Sequence, residues 1–338
     1  MQRPLRHQRR LFSALTFAVA SALTASAASA QFAPTSLTFF GDSFTDTGNG
    51  DVLSVQFTGF DLTPSPPYAP GRITNGFNYA DFLMQRFGLG PFATASLLGG
   101  TNYAVGTATT GITGAGGLPI GMLAQLGMFT GAADASGLYV LFGGANDLRA
   151  VAGLSVAQQD AAIQGALTNF GTMAGVLYAR GARNFLIPNL PDLGLTPAEL
   201  GTPDSPVLSA ATVRFNQQLS TQLAFWKFAF PNANFLGLQL DNLFSNILID
   251  VAQGGPRYGF TNATLPCFAF AVSCGTSVFA DDLHPTSTAH LLISDAIYNR
   301  VAYGVDVSVV PEPSSILLVG AGLIACAFAA RRRRAGTV

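Results

Sequence analysis

Phe39-Phe40-Gly41-Asp42-Ser43-Phe44-Thr45-Asp46-Thr47-Gly48-Asn49 takes the chain from an apolar run into a polar turn. Residues 36–40 are β-branched and aromatic, the composition of a buried strand. Gly41 permits a tight turn, and Asp42, Ser43 and Thr45 can cap a following helix. A serine at a strand-to-helix turn lies where backbone N–H groups are unpaired and point outward. That suits a nucleophile, because the oxyanion it creates needs those donors. It equally suits a serine that only caps, so the rest of the chain must decide.

Further along, apolar runs over 138–142, 184–187 and 234–240 read as buried strands, and 99–110 as a short strand ending at Gly106. The patterning predicts helices over 78–87, 122–129, 156–178, 208–228, 242–252 and 286–301. Residues 51–76, with Pro64, Pro66, Pro67, Pro70 and Gly71, predict a loop. Residues 253–280 read as irregular. Alternating strands and helices imply an α/β fold, with crossover helices on both faces of a mostly parallel sheet, hence three layers. Such sheets carry their sites outside the carboxyl ends of the strands. Polar clusters fall there: Asp42-Ser43, then Gly106, then Asn146-Asp147. The five glycines within 111–121 make a rim rather than a phosphate loop, because no Lys-Ser/Thr ending follows them.

Apolar residues make up 49% of the 338 and charged residues only 10%, so a large core is available. The formal net charge of −1 conceals an acidic body. Eight of the seventeen basic residues lie in the termini, and residues 31–310 hold nine basic against seventeen acidic. No basic patch is large enough to track a phosphate backbone, so nucleic acid is not an expected partner.

Both ends have the form of processing segments. Residues 1–30 combine Arg3, Arg6, Arg9 and Arg10, an apolar stretch over 11–24, and a small-residue site at Ala28-Ser29-Ala30. This predicts a secretory signal cut by a signal peptidase before Gln31. At the other end, Pro311-Glu312-Pro313 leads into an uncharged run over 316–330 and then Arg331, Arg332, Arg333 and Arg334. Fifteen helical residues reach ~22 Å, short of the ~30 Å hydrocarbon core. The order of these parts resembles the PEP-CTERM sorting tail of exported bacterial proteins. That resemblance implies an exosortase partner, removal of the helix and delivery to the cell surface or extracellular matrix. The alternative is a permanent anchor through the same helix. The body then spans 31–308 and the tail 309–338. Cys267 and Cys274, with six residues between them, are expected to form a local disulfide in an oxidising compartment, with two buried thiols as the alternative.

The body contains two histidines, His284 and His290. An imidazole base for Ser43 must be one of them. His284 precedes Pro285 and is therefore held in an extended or turn conformation. Asp281, three residues earlier, can fold back onto Nδ1–H and fix the tautomer. The competing reading is an exposed histidine in an Asp-rich loop. His290 lies among Ala289, Leu291 and Leu292 in the last helix and reads as a packing or surface residue.

Four segments in order resemble the blocks of the GDSL, or SGNH, hydrolases: 41–49, 102–106, Gly144-Ala145-Asn146-Asp147, and Asp281-x-x-His284 with Pro285-Thr286. Pro67-Tyr68, Gly71-Arg72 and Asn75-Gly76 resemble a subgroup containing many plant and secreted bacterial esterases. Phe44 replaces the leucine of the name motif, and Thr107 replaces a common second glycine. The resemblance implies a flavodoxin-like sheet and ester hydrolysis by Ser43, with His284 as base and Asp281 orienting it. It implies an oxyanion hole from the Ser43 and Gly106 N–H groups and the Asn146 amide, with no metal or cofactor. Asp147 is expected to be structural, and Asp42 and Asp46 to cap the helix and fix the turn. The substrate would be an acyl lipid, with the rim at 111–121 shaping an apolar acyl pocket, or an acetylated exported polysaccharide. Outside catalysis, the fold could serve as a surface polysaccharide-binding or matrix protein.

Overall fold

The structure is a computed structural model that describes residues 32–61 and 63–308. The signal segment and the tail, with any membrane contact through its apolar helix, lie outside these residues. Among the described residues no helix is long and apolar enough to cross a membrane.

Four strands form one parallel sheet in sequential order: β1 (Leu37–Gly41), β2 (Leu138–Phe142), β3 (Asn184–Pro188) and β4 (Asn234–Leu238). The first three are buried along their whole length, as parallel strands covered on both faces must be. The helices are α1 (Asn49–Thr58), α2 (Tyr79–Arg86), α3 (Met122–Met128), α4 (Ala145–Arg149), α5 (Val156–Ala179), α6 (Ser205–Ala229), α7 (Leu240–Ala252) and α8 (Ser287–Tyr303).

The two-residue alternation of strands sorts aromatic rings between the faces. On one face Phe39 and Phe142 meet Tyr79 of α2, which stacks on His290 of α8. On the other, Phe40 meets Phe129 just beyond α3, and Tyr139, Phe185 and Phe235 run side by side to Trp226 of α6. Helices α2 and α8 pack together, as do α5 and α6. The sheet therefore lies between two helical layers, the α/β arrangement expected from the alternation.

Residues 99–110 depart from expectation. They contribute no regular strand, only isolated bridges, parallel from Asn102 to Phe39 and to Ala95 and antiparallel from Ala108 to Gly114. The segment still follows the outer edge of β1: Phe39 N–H donates to Thr101 O, Tyr103 N–H to Phe39 O and Val105 N–H to Gly41 O, at 3.1, 2.8 and 3.2 Å. The Asn102 side chain bonds Thr45 O and the Thr47 hydroxyl, and the Gly41 N–H that would continue the pairing donates to Gln125 Oε1. The chain thus leaves β1 to one side and returns through β2 on the other. That makes the carboxyl end of β1 a switch point, where α/β sheets open a crevice.

The predicted loop at 51–76 is also corrected, because its first part is α1. Only Asn49 of α1 is buried, so no apolar periodicity marks the helix. It is held from its N-terminus, where Asp46 accepts the N–H groups of Gly48, Asn49 and Gly50. The Pro-rich remainder is irregular. Helix α6 begins three residues before its predicted start, with Pro206 in its first turn, where a missing N–H is harmless.

Candidate active site

Gly41 ends β1 where backbones crowd: a Cβ there would lie 2.5 Å from Phe142 O. The Gln125 side chain accepts from Gly41 N–H at 3.0 Å and donates to Gly41 O at 2.8 Å, completing the strand end. The next turn is closed by Asp42 O, which accepts from Thr45 and Asp46 N–H, both at 3.0 Å. Asp42 Oδ1 accepts Phe44 N–H at 3.1 Å. Ser43 projects from this turn, and its own N–H makes no hydrogen bond with the described residues.

The loop before α8 brings the imidazole to it. Asp281 Oδ1 accepts the N–H groups of Leu283 and His284 at 2.9 and 2.7 Å, folding the carboxylate back over three residues. His284 Nδ1 lies 2.8 Å from Asp281 Oδ2, and Nε2 lies 2.8 Å from Ser43 Oγ. With Nδ1 donating to the carboxylate, Nε2 is left to accept the Ser43 proton. Thr286 caps α8, and the Thr74 hydroxyl donates to Pro285 O at 2.7 Å, which ties this loop to the segment before α2.

Burial works to raise the Asp281 carboxyl, but the hydrogen bond and charge of His284, with the two N–H donors, outweigh it and bring it down to about 2. Burial pushes Asp42 up to about 6 against the Phe44 N–H and the His284 charge. Burial also pushes Asp46 up to about 6, although four N–H groups point at it. His290 is buried in α8 beside Phe44 and Tyr79, and burial lowers its imidazole to about 3, so it stays neutral. It makes no hydrogen bond to Ser43 among the described residues, in keeping with a packing residue.

Asn146 sits in the first turn of α4, immediately after β2. Its Nδ2 donates one hydrogen to Ala108 O at 2.9 Å, leaving the other available. Asp147 fixes the same loop by accepting the Thr110 N–H and hydroxyl. The Gly106 N–H, expected in the oxyanion hole, donates to Asp46 Oδ2 at 2.8 Å. The next residue, Thr107, has φ +66° and an N–H with no partner among the described residues.

A narrow apolar cavity of about 40 Å³ opens beside Ser43 and Asn146, walled by Phe142, Leu190, Leu195, Phe244, Leu248 and Leu283. The rim at 111–121 does not line it; Leu118 and Ile120 line a second apolar cavity of about 140 Å³ with Leu53, Ile73, Gly106 and Thr107. Cys267 and Cys274 are joined by a disulfide. Among the described residues no three His, Cys, Asp or Glu side chains converge on a metal position.

The family model of the GDSL-like lipase/acylhydrolases matches residues 37–297. The chain belongs to this family. A second model, the PEP-CTERM protein-sorting motif, matches 309–334, a signal for export and sorting to the cell envelope. An uncharacterized protein of Pseudomonas putida is 31% identical, over 88% of this chain and 54% of its own length. A GDSL esterase/lipase of Arabidopsis thaliana is 26% identical over 76% of this chain and 85% of its own. Esterase EstA of Pseudomonas aeruginosa is 28% identical over 53% and 28%. The chain thus spans about half of the first relative and about a quarter of EstA. A lipolytic G-D-S-L family structure from Veillonella parvula aligns with 79% of this chain and 97% of its own, at 14% identity and a TM-score of 0.41.

Proposed function

We propose that this GDSL-family protein is an exported serine hydrolase that cleaves carboxylic esters through an acyl-enzyme. The observation that carries this reading is the chain of 2.8 Å contacts from Ser43 Oγ through His284 to Asp281. Ser43 Oγ attacks the ester carbonyl while His284 Nε2 takes its proton. Asp281 holds the ring and balances the imidazolium. The oxyanion is received by the Ser43 N–H and the free Asn146 amide hydrogen, with the Thr107 N–H in the part expected of Gly106. His284 then protonates the leaving alcohol, and water repeats the sequence to free the acid and Ser43. The sorting motif supports handling by an exosortase with loss of the apolar helix.

Asn146→Ala is expected to lower kcat about 100- to 1000-fold with little change in KM, because its donor acts on charge formed in the transition state. Steady-state kinetics on an aryl butyrate measures this, and a loss of less than about threefold removes Asn146 from the oxyanion site.

The apolar cavity beside Ser43 favours an unbranched acyl chain over acetyl. Each methylene buried there is worth ~0.8 kcal/mol, or about fourfold in kcat/KM, until the cavity is full. Turnover of aryl esters from acetate to octanoate, assayed beside an acetylated glycan, measures that preference. A maximum at acetate with rapid glycan deacetylation assigns the polysaccharide substrate instead. No turnover of any ester overturns the hydrolase reading.

A further inference from the structure

Tyr68 lies in the Pro-rich segment between α1 and α2, 213 residues before Asp281, yet its hydroxyl donates to Asp281 Oδ2 at 2.8 Å. The carboxylate's other oxygen is already occupied by the N–H groups of Leu283 and His284 and also lies 2.9 Å from His284 Nδ1. Oδ2 is therefore shared between the His284 ring and Tyr68 alone.

Tyr68 is itself held on two sides. Its ring stands edge-on to Phe268 with centroids 5.1 Å apart. Phe268 belongs to the loop closed by the Cys267–Cys274 disulfide, and its N–H donates to Ala280 O, one residue before Asp281. Behind Tyr68, Ala69 N–H donates to Thr74 O at 2.8 Å, and Arg72 forms a two-pronged pair with the buried Asp81. Burial, together with the Asp281 carboxylate, raises the Tyr68 hydroxyl well above the usual range, so it remains a donor.

We propose that Tyr68 is a positioning residue for the triad acid: its hydroxyl takes the outer lone pair of Asp281 and moderates the charge that Asp281 presents to His284. This rests on the Ser43–His284–Asp281 reading. A donor on a carboxylate disperses its negative charge. With Tyr68 in place, Asp281 holds the imidazolium less tightly. The other titratable groups facing His284 are Asp42 at the end of β1 and His290 on α8, while Asp282 acts on Tyr68 itself. Tyr68 has no hydrogen bond or ring contact with Asp42 or His290 among the described residues.

Tyr68→Phe tests this with little disturbance, since the ring keeps its contact with Phe268 and Asp281 keeps both backbone donors. The acid limb of kcat/KM is expected to move up by about half a unit to one unit. Activity below the limb then falls roughly 3- to 10-fold, and the alkaline plateau stays within about twofold. KM is unchanged, because the hydroxyl is bonded to Asp281 rather than to substrate. A loss of the same factor at every pH, or an unmoved profile, overturns the positioning role. Inactivity of the unsubstituted protein on every ester instead overturns the hydrolase reading on which it rests. Thermal melts of both proteins check that the variant is folded.

Discussion

Ser43→Ala is expected to abolish ester hydrolysis, lowering kcat by about 10,000-fold or more, while the protein stays folded. The size of the effect follows from the geometry. Ser43 Oγ is the one nucleophilic atom 2.8 Å from a base whose far nitrogen is fixed by a carboxylate. Without it, His284 has nothing to activate but water. The fold survives because the Ser43 side chain supports no backbone group. The turn is closed by Asp42 O, and α1 is capped by Asp46. His284→Ala should be comparably inactive. His290→Leu, which keeps the packing volume beside Tyr79 and Phe44, should retain turnover. Kinetics on an aryl butyrate and labelling by a fluorophosphonate measure the same atom independently. Label on the unsubstituted protein and none on the Ser43 variant is the expected pattern. An inactive His290 variant beside an active His284 variant would reverse the assignment of the base.

Asp46→Ala is expected to destabilise the fold more than any substitution in the triad. Its buried carboxylate accepts Gly48 and Asn49 N–H at Oδ1, both at 2.8 Å, and Gly50 and Gly106 N–H at Oδ2, at 2.9 and 2.8 Å. Removing it strands four donors, each costing ~1–3 kcal/mol if water cannot replace the acceptor. With partial hydration a net loss of ~4 kcal/mol is expected, which lowers Tm by roughly 10 °C in a domain of this size. Asp46→Asn should recover little of this. The amide oxygen can still serve Gly48 and Asn49, but the NH₂ group then faces two further donors. Calorimetric melts of both variants measure the effect, and an Asn variant as stable as the parent would show that the acceptor at Oδ2 is dispensable. Activity should fall with stability, because this carboxylate joins the loop after Ser43 to the loop holding Gly106 and Thr107.

Where the residues that make a feature are close in sequence, the feature was legible. The buried runs at β1, β2 and β3 are continuous apolar segments, and α2, α5 and α8 carry their stop or cap residues with them. The Asp281–His284 pair spans one turn, so the spacing allowed the contact beside the alternative of an exposed histidine in an Asp-rich loop. Helix α1 was not legible, because it buries a single residue and owes its existence to a side chain outside it. The second expected strand was half legible. Its backbone does follow β1, but a side chain from α3, Gln125, takes the Gly41 N–H that would have continued the pairing.

By itself, then, the sequence determined the alternation of strands and helices, the strand-end position of Ser43, and the spacing that lets Asp281 reach His284. These depend on periodicity and on contacts within three or four residues. Only the tertiary structure decided that Ser43 meets His284 across 241 residues, and that Tyr68 reaches Asp281. It also decided that Asp46 captures the Gly106 N–H, and that residues near 190 and 244, rather than the glycine rim, wall the cavity. A single N–H serves the nearest acceptor, and a cavity takes the shape its neighbours leave. Both depend on distances between segments far apart in the chain, which no local pattern encodes.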